Sequence, residues 1–303
     1  MHFKYTVKFD FMKHSKKFFI FSILITILGA AFLLTSGFNR GVDFKAGTTL
    51  DINTGQAATI AKVEDLLGAA GLSNGIITPA GERVSIRFDH VLKEEEVLKV
   101  KTTFTEAFGK DVSLEENTVD TTLAKELAEK ALYAVGIASL LIMAYVAIRF
   151  EWRFAIAAIV ALLHDAFIVI SIFSIFRIEV NLTFVAAILT IIGYSINDTI
   201  VIFDRVRENL RFSKLKTSED LNHLVNVSVG QTFTRSINTA LTVFVGALLL
   251  FIMGGESIRN FSLAMLLGLL CGAYSSIMIA SPLWAVMKKG SLGKPKKAAT
   301  AKS

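Results

Sequence analysis

Six stretches of the chain stay apolar for long enough to cross a bilayer, or nearly so: 18–38, 129–149, 154–176, 182–203, 236–253 and 261–287. A spanning helix needs ~20 such residues. No A-x-A-like cleavage site follows the first run, which therefore reads as a retained helix. Between the first two runs, over 39–125, the pattern shortens and alternates. There 48–52 reads as a strand, 57–70 as a helix, 75–79 and 83–89 as two strands joined by a glycine-containing turn, 93–108 as a helix and 112–114 as a weak last strand. The β-α-β-β-α-β order fits a ferredoxin-like sandwich. The predicted fold is a polytopic α-helical membrane protein with six transmembrane helices and a small α+β (ferredoxin-like) external domain between the first two.

The remaining parts follow from the same pattern. Residues 1–17 are expected to be a cytoplasmic N-terminal segment, 126–287 a five-helix transmembrane domain, and 288–303 a disordered basic cytoplasmic tail in contact with anionic membrane lipid. Residues 204–233 are expected to be a cytoplasmic connector; Thr217 as a helix cap, followed by Leu221, Leu224, Val225 and Val229, also allows a second reading, an amphipathic helix on the membrane surface.

Composition supports the membrane reading. Of 303 residues 53% are hydrophobic and only 19% charged, with a mean hydropathy of +0.56, too apolar for an ordinary soluble domain. The net charge of +6 does not point to nucleic acid, because the basic residues flank the apolar runs. They gather at the N-terminus, at Arg149 and Arg153, along 205–235 and in the tail, whereas the short loops opposite hold Arg177 and Arg259. The positive-inside rule then puts both termini in the cytoplasm. The single Cys271 lies in an apolar run and reads as a packing residue. In the external domain no His/Cys cluster or nucleophile motif suggests catalysis, and neither an enzyme nor a bound cofactor is expected.

The candidate chemistry is inside the runs. Asp198 interrupts the fourth, and an intramembrane carboxylate is costly unless paired or protonated. Thr190, Tyr194, Asn197 and Asp198 share one helical face, expected to turn inward toward other helices or water. In the fifth run Arg235, Asn238, Thr239, Thr242 and Gly246 form a second stripe, with Arg235 the natural partner for Asp198. Two plainer readings stand beside this: Arg235 snorkelling to the headgroups, and a static ion pair that only fixes packing. His164 and Asp165 sit near the middle of the third run, as a proton relay or as a hydrogen-bonded pair between helices. In the sixth, Ala264, Gly268, Gly272, Ser276 and Ala280 make a smooth ridge for close helix contact, and Pro282 is expected to end or kink the helix.

The stretch Gly193-Tyr-Ser-Ile-Asn-Asp-Thr-Ile-Val-Ile-Phe-Asp-Arg-Val-Arg-Glu-Asn209, which contains Asp204 and Arg205, closely resembles the fourth-helix signature of the SecF family of the bacterial SecDF protein-export complex, in the RND superfamily. Gly41-Val-Asp-Phe-Lys-Ala-Gly47, with Asp43, Phe44 and Gly47, resembles the motif after the first helix, Ala46 standing where a glycine is usual. His164-Asp165, 234–239 and 274–282 resemble further segments of the same family. The resemblance implies a SecD partner, a twelve-helix unit attached to the SecYEG translocon, and neighbours such as YidC and YajC. It implies a bacterial cytoplasmic (inner) membrane and a proton (sometimes sodium) gradient that draws a translocating preprotein outward after SecA has pushed it. The fourth-helix Asp and fifth-helix Arg of that family's ion pathway correspond to Asp198 and Arg235. With the neighbouring stripe residues, the expected ion-coupling set is Asp198, Arg235, Asn197, Asn238 and Thr242.

In that reading protonation of Asp198 releases Arg235, shifts helix packing and moves the external domain. Two other classes compete. An RND-type small-molecule or lipid exporter would need an apolar ligand pocket in its external part, for which one small domain is little material. An intramembrane aspartyl protease would use Asp165 and Asp198 as a dyad, but neither acid has a Gly-x-Gly-Asp setting and Arg235 would suppress a shared proton.

Overall fold

The computed structural model describes residues 9–109, 112–213 and 215–290. The first lysines of the basic N-terminal segment and nearly all of the basic tail lie outside these described residues. Helix α1 (Phe11–Ser36) starts seven residues before the apolar run, because Asp10 caps it by accepting the Lys13 N–H at 3.0 Å. The chain then forms a short strand β1 (Asn39–Arg40) and a single turn α2 (Val42–Lys45) before entering the external domain.

That domain runs β2 (Gly47–Asn53), α3 (Ile60–Ala69), β3 (Ile76–Ala80), β4 (Arg83–Phe88), α4 (Glu94–Phe108) and β5 (Ser113–Val119). Its antiparallel sheet has the order β3-β4-β2-β5, which a β-α-β-β-α-β chain gives when each helix crosses over one strand. Leu50, Ile52, Val84, Ile86 and Phe88 project to one face and are sealed by Val63 and Leu67 of α3 and Val97, Val100 and Phe104 of α4. Strand β5 is longer than the weak strand predicted at 112–114. Glu115, Glu116 and Asn117 give it no apolar alternation, yet it pairs with all of β2 as an edge strand. The uncovered sheet face, with Asp51, Arg83 and Glu115, and the apolar turn at Ile252, Met253 and Ile258 bound a groove of about 890 Å³.

Five long helical segments complete the six that are long and apolar enough to cross a membrane. Helix α5 (Thr121–Arg149) is capped by Asp120 and leaves Leu132, Leu140, Leu141 and Ile148 exposed, as a lipid-facing peripheral helix does. Helices α6 (Trp152–Ile175) and α7 (Leu182–Phe212) are joined through strand β6 (Glu179–Val180), which pairs in parallel with β1. Helix α8 (Ser218–Met253) is one continuous helix of 36 residues. This corrects the second reading, a surface helix around 217–229: Leu221, Leu224, Val225 and Val229 are buried in the bundle core rather than facing headgroups. An apolar stripe alone does not say whether lipid or protein covers it.

The last span is α9 (Glu256–Ser275), a π turn (Ser276–Ala280) and α10 (Ser281–Lys289). Pro282 does not end it. The wide turn accommodates the missing N–H, and Ser281 Oγ donates to the Ser276 carbonyl at 2.9 Å. The ridge on α9 packs against α7. A Cβ at Gly268 would overlap the Ile191 side chain, and at Gly272 it would lie 3.4 Å from Ser195 Cβ.

Candidate functional site: polar groups on both sides of helix α7

Asp198 sits near the middle of α7, about 21 Å from its C-terminal end at 1.5 Å per residue. Its carboxylate is half-buried beside a cavity of about 20 Å³ lined by Tyr194, Ser195, Asn197, Ser236, Thr239 and Gly272, a volume that holds one water. Oδ2 is buried with no hydrogen-bond partner. Across the α7–α8 interface the Ser236 hydroxyl lines the same cavity and is likewise buried without a hydrogen-bond partner. Arg235 acts on Asp198 through its charge. Among the described residues no ion pair within 4.0 Å joins the two, and Arg235 is exposed. The helical rotation that brings Ser236 to the interface turns residue 235 outward, which corrects the direct pairing expected from sequence.

A second correction concerns the stripes. Ile191, Ser195, Thr199 and Ile202 are among the α7 residues buried in the bundle, while Thr190, Gly193 and Asn197 are exposed. Asn238, Thr242 and Gly246 of α8 are exposed too, Thr242 Oγ1 donating only to the Thr239 carbonyl at 2.8 Å. Thr190, Gly193, Asn197, Asn238, Thr242 and Gly246 thus lie on the outer faces of α7 and α8, while Tyr194, Asp198 and Thr239 are half-buried around the cavity at their interface.

On the other side of α7, Asp165 is fully buried and heavily bonded. Ser195 Oγ donates to its Oδ2 at 2.6 Å and Ser275 Oγ at 2.7 Å, while His164 Nδ1 lies 2.9 Å from Oδ1. The His164 Nε2 meets the Tyr274 hydroxyl at 2.9 Å, which in turn lies 3.4 Å from Ser22 Oγ on α1. One turn along, Thr199 and Ser276 share a hydrogen bond of 2.8 Å. Ser195, Ser236 and Ser275 were not singled out from sequence, and Ser276 only as part of a packing ridge, since a serine in an apolar run looks like any small packing residue.

The motif after α1 ties the external domain to the start of α7. The Gly41 N–H donates to the Val180 carbonyl at 2.9 Å, and a Cβ there would overlap the Glu179 carboxylate. Asp43 Oδ2 accepts the Leu182 N–H at 2.8 Å, in the first turn of α7 where the helix dipole favours an anion, and Oδ1 accepts from Asn117 at 3.2 Å. Phe44 packs on the bundle core. Ala46 takes φ +70° and ψ 152°, a conformation that favours glycine, and Gly47 takes φ +140° with the Phe88 carbonyl where a Cβ would be. Arg87 Nη1 on β4 donates to Glu179 Oε2 at 2.8 Å, a pair that sequence reasoning missed because 92 positions separate its members. Burial pushes the Glu179 carboxyl above its ordinary pKa of 4.5, against the opposing pull of Arg87. Asp204 and Arg205 lie well beyond Asp198 near the far end of α7, where Arg207 donates to Asp204 at 2.7 Å and Arg205 to Glu208 at 2.6 Å.

Comparison with known proteins agrees with this arrangement. Residues 99–290 match the family described as protein export membrane protein SecD/SecF, C-terminal, and residues 31–58 the SecD/SecF GG motif. The protein translocase subunit SecDF of Bacillus subtilis (strain 168) is 49% identical over 290 residues, which cover 95% of this chain and 39% of that protein. The protein translocase subunit SecF of Alicyclobacillus acidocaldarius is 44% identical over 293 residues, 95% of each chain. The crystal structure of SecDF, a translocon-associated membrane protein from Thermus thermophilus, superposes with a TM-score of 0.83 at 32% identity, over 95% of this chain and 40% of that one. SecDF in its super-membrane-facing form gives a TM-score of 0.66 at 30% identity, over 93% and 39%. The chain thus spans about two fifths of its SecDF relatives and nearly all of its SecF relative. With the family match covering well over half of its length, this multi-pass membrane chain belongs to the SecD/SecF family of protein-export membrane proteins.

Proposed function

We propose that the chain pairs with a SecD-type partner in the bacterial inner membrane, both termini cytoplasmic, and uses the proton motive force to promote late steps of preprotein export through a SecYEG-type channel. The observation that carries the reading is the outer face of α7 and α8. Asn197 on the helix of Asp198, and Arg235, Asn238 and Thr242 on the adjoining α8, are exposed, and polar groups at bilayer depth are rarely left to lipid. A partner's helices would cover them and enclose Asp198. The relative in which SecD and SecF form one chain supports such a neighbour.

Coupling to the outside follows from the mooring at the other end of α7. Asp43 and Glu179 tie that end to the external domain, so a change in α7 packing at Asp198 reaches the sheet through hydrogen bonds. The two SecDF structures cover nearly the same share of this chain at TM-scores of 0.83 and 0.66, a difference that supports more than one arrangement of domain and helices. The groove under the sheet leaves room for a tilt. One charge crossing the membrane is worth about 2.3 kcal/mol per 100 mV, a bias of roughly fiftyfold. Asp198 and Arg235 are the coupling residues, acting through space and a partner-enclosed cavity, with H+ or Na+ as the ion; YidC and YajC belong to the wider assembly.

Asp198→Asn keeps the shape and removes the charge. It is expected to insert and assemble at normal level while gradient-stimulated export in inverted vesicles falls at least tenfold. Unchanged export would refute the coupling role.

A further inference from the structure

The coupling reading uses Asp198 and leaves the second buried acid unexplained. We propose that Asp165, His164 and Tyr274 form a second proton-binding centre that exchanges protons with Asp198 through Ser195. The proposal rests on the proton-coupling reading and adds a route inside the same bundle.

The geometry carries it. Asp165 is 0% exposed, with Ser195, Ser275 and His164 all within 2.9 Å of its oxygens. As a mere clamp between helices this would be a poor choice, because replacing a buried ionisable pair by well-packed apolar residues is often neutral or stabilising. What the group offers beyond packing is reversibility. A neutral imidazole that donates from Nδ1 to Asp165 must accept at Nε2, so Tyr274 donates to it. An imidazolium donates from both nitrogens, and the tyrosine proton then turns to Ser22 Oγ, 3.4 Å away. Every atom keeps a partner in both states. The centre therefore gains or loses a proton without orphaning a buried polar group, the usual penalty for a charge change in an apolar interior.

Ser195 connects this centre to Asp198. Its hydroxyl bonds Asp165 at 2.6 Å, and it also lines the water-sized cavity beside Asp198, with Gly272 as a shared wall. In the transfer step the proton leaves the Asp198 carboxyl and passes by way of the cavity to Ser195 Oγ, which gives up its own proton to the Asp165–His164 pair. Asp198 ends ionised, Ser195 is unchanged and the pair has gained one proton. Among the described residues the other titratable group facing the centre is Cys271 from α9, while α1 presents the Ser22 hydroxyl.

The test reads His164 directly. The full chain, labelled with ¹⁵N-histidine and reconstituted in nanodiscs, has five histidines, and His164→Gln assigns the resonance. Its ring-nitrogen shifts are expected to change with sample pH as a proton is gained or lost, and Asp198→Asn is expected to alter that response, as it must if the two sites exchange protons. In cells that depend on this chain for export, Ser195→Ala should lower export at least tenfold at unchanged membrane level, with Ser195→Thr retaining it. A packing role predicts the reverse order, since the smaller residue would be tolerated and the larger one would collide with Gly272. A His164 signal indifferent to pH or to Asp198→Asn, or full export by Ser195→Ala beside an inactive Asp198→Asn, overturns the second centre alone. Normal export by Asp198→Asn overturns the coupling reading beneath it.

Discussion

Replacing Arg87 with leucine removes the cation that holds Glu179, and with it a direct tie between the external sheet and the loop that starts α7. The two side chains are 10% and 28% exposed, their closest atoms 2.8 Å apart. Breaking a fully buried pair costs about 3–5 kcal/mol, and a hydrogen bond to a charged group is worth about 1.5–3. Because Glu179 keeps some solvent, about 2 kcal/mol is the expected loss, a roughly thirtyfold increase in local opening. Hydrogen exchange should report it at the Gly41 and Leu182 amides, which bond to Val180 and Asp43 across the same joint. Arg87→Leu with Glu179→Leu should return to within ~1 kcal/mol of the parent, since no charge is then left unpaired. The sign of the pH dependence also follows. A carboxyl whose folded pKa is raised above its ordinary 4.5 contributes stability that is fully present below that value and is lost as pH rises through the raised one. The joint is therefore tightest in acid, and Arg87→Leu, which removes the cause that favours ionisation, deepens the loss as pH rises. Unchanged amide exchange in Arg87→Leu, or a double variant whose defect is the sum of the singles, would refute the reasoning.

Two more outcomes are expected. Ala46→Gly should raise the thermal stability of the external joint by about 1–3 kcal/mol, since a non-glycine residue at φ +70° and ψ 152° is strained and an alanine methyl contributes little in return; a lower melting temperature would show that the strain is absent. Gly193→Leu should leave the isolated chain within ~0.5 kcal/mol of the parent, because a Cβ at 193 meets nothing within 4 Å, yet it should abolish co-purification with a SecD-type partner. Retention of the partner would mean that this face of α7 looks into lipid.

Several features needed no coordinates. Six apolar runs of spanning length and a β-α-β-β-α-β alternation between the first two specify the bundle and the external domain, because bilayer thickness and strand pleating act on local sequence. Asp198 stood out for the same reason: one charge in an apolar run is visible without a partner. What the sequence alone left open is rotation and distance. Whether α8 turns residue 235 or 236 toward α7 is a matter of about 100° of helical phase, decided by burying Leu221, Leu224, Val225 and Val229 below it. Ser195 and Ser275 acquire meaning only where α6, α7 and α9 converge on Asp165, and Arg87 meets Glu179 only because β1 pairs with β6. Periodicity fixes which residues share a helix face, while the packing of neighbouring helices determines what each face meets.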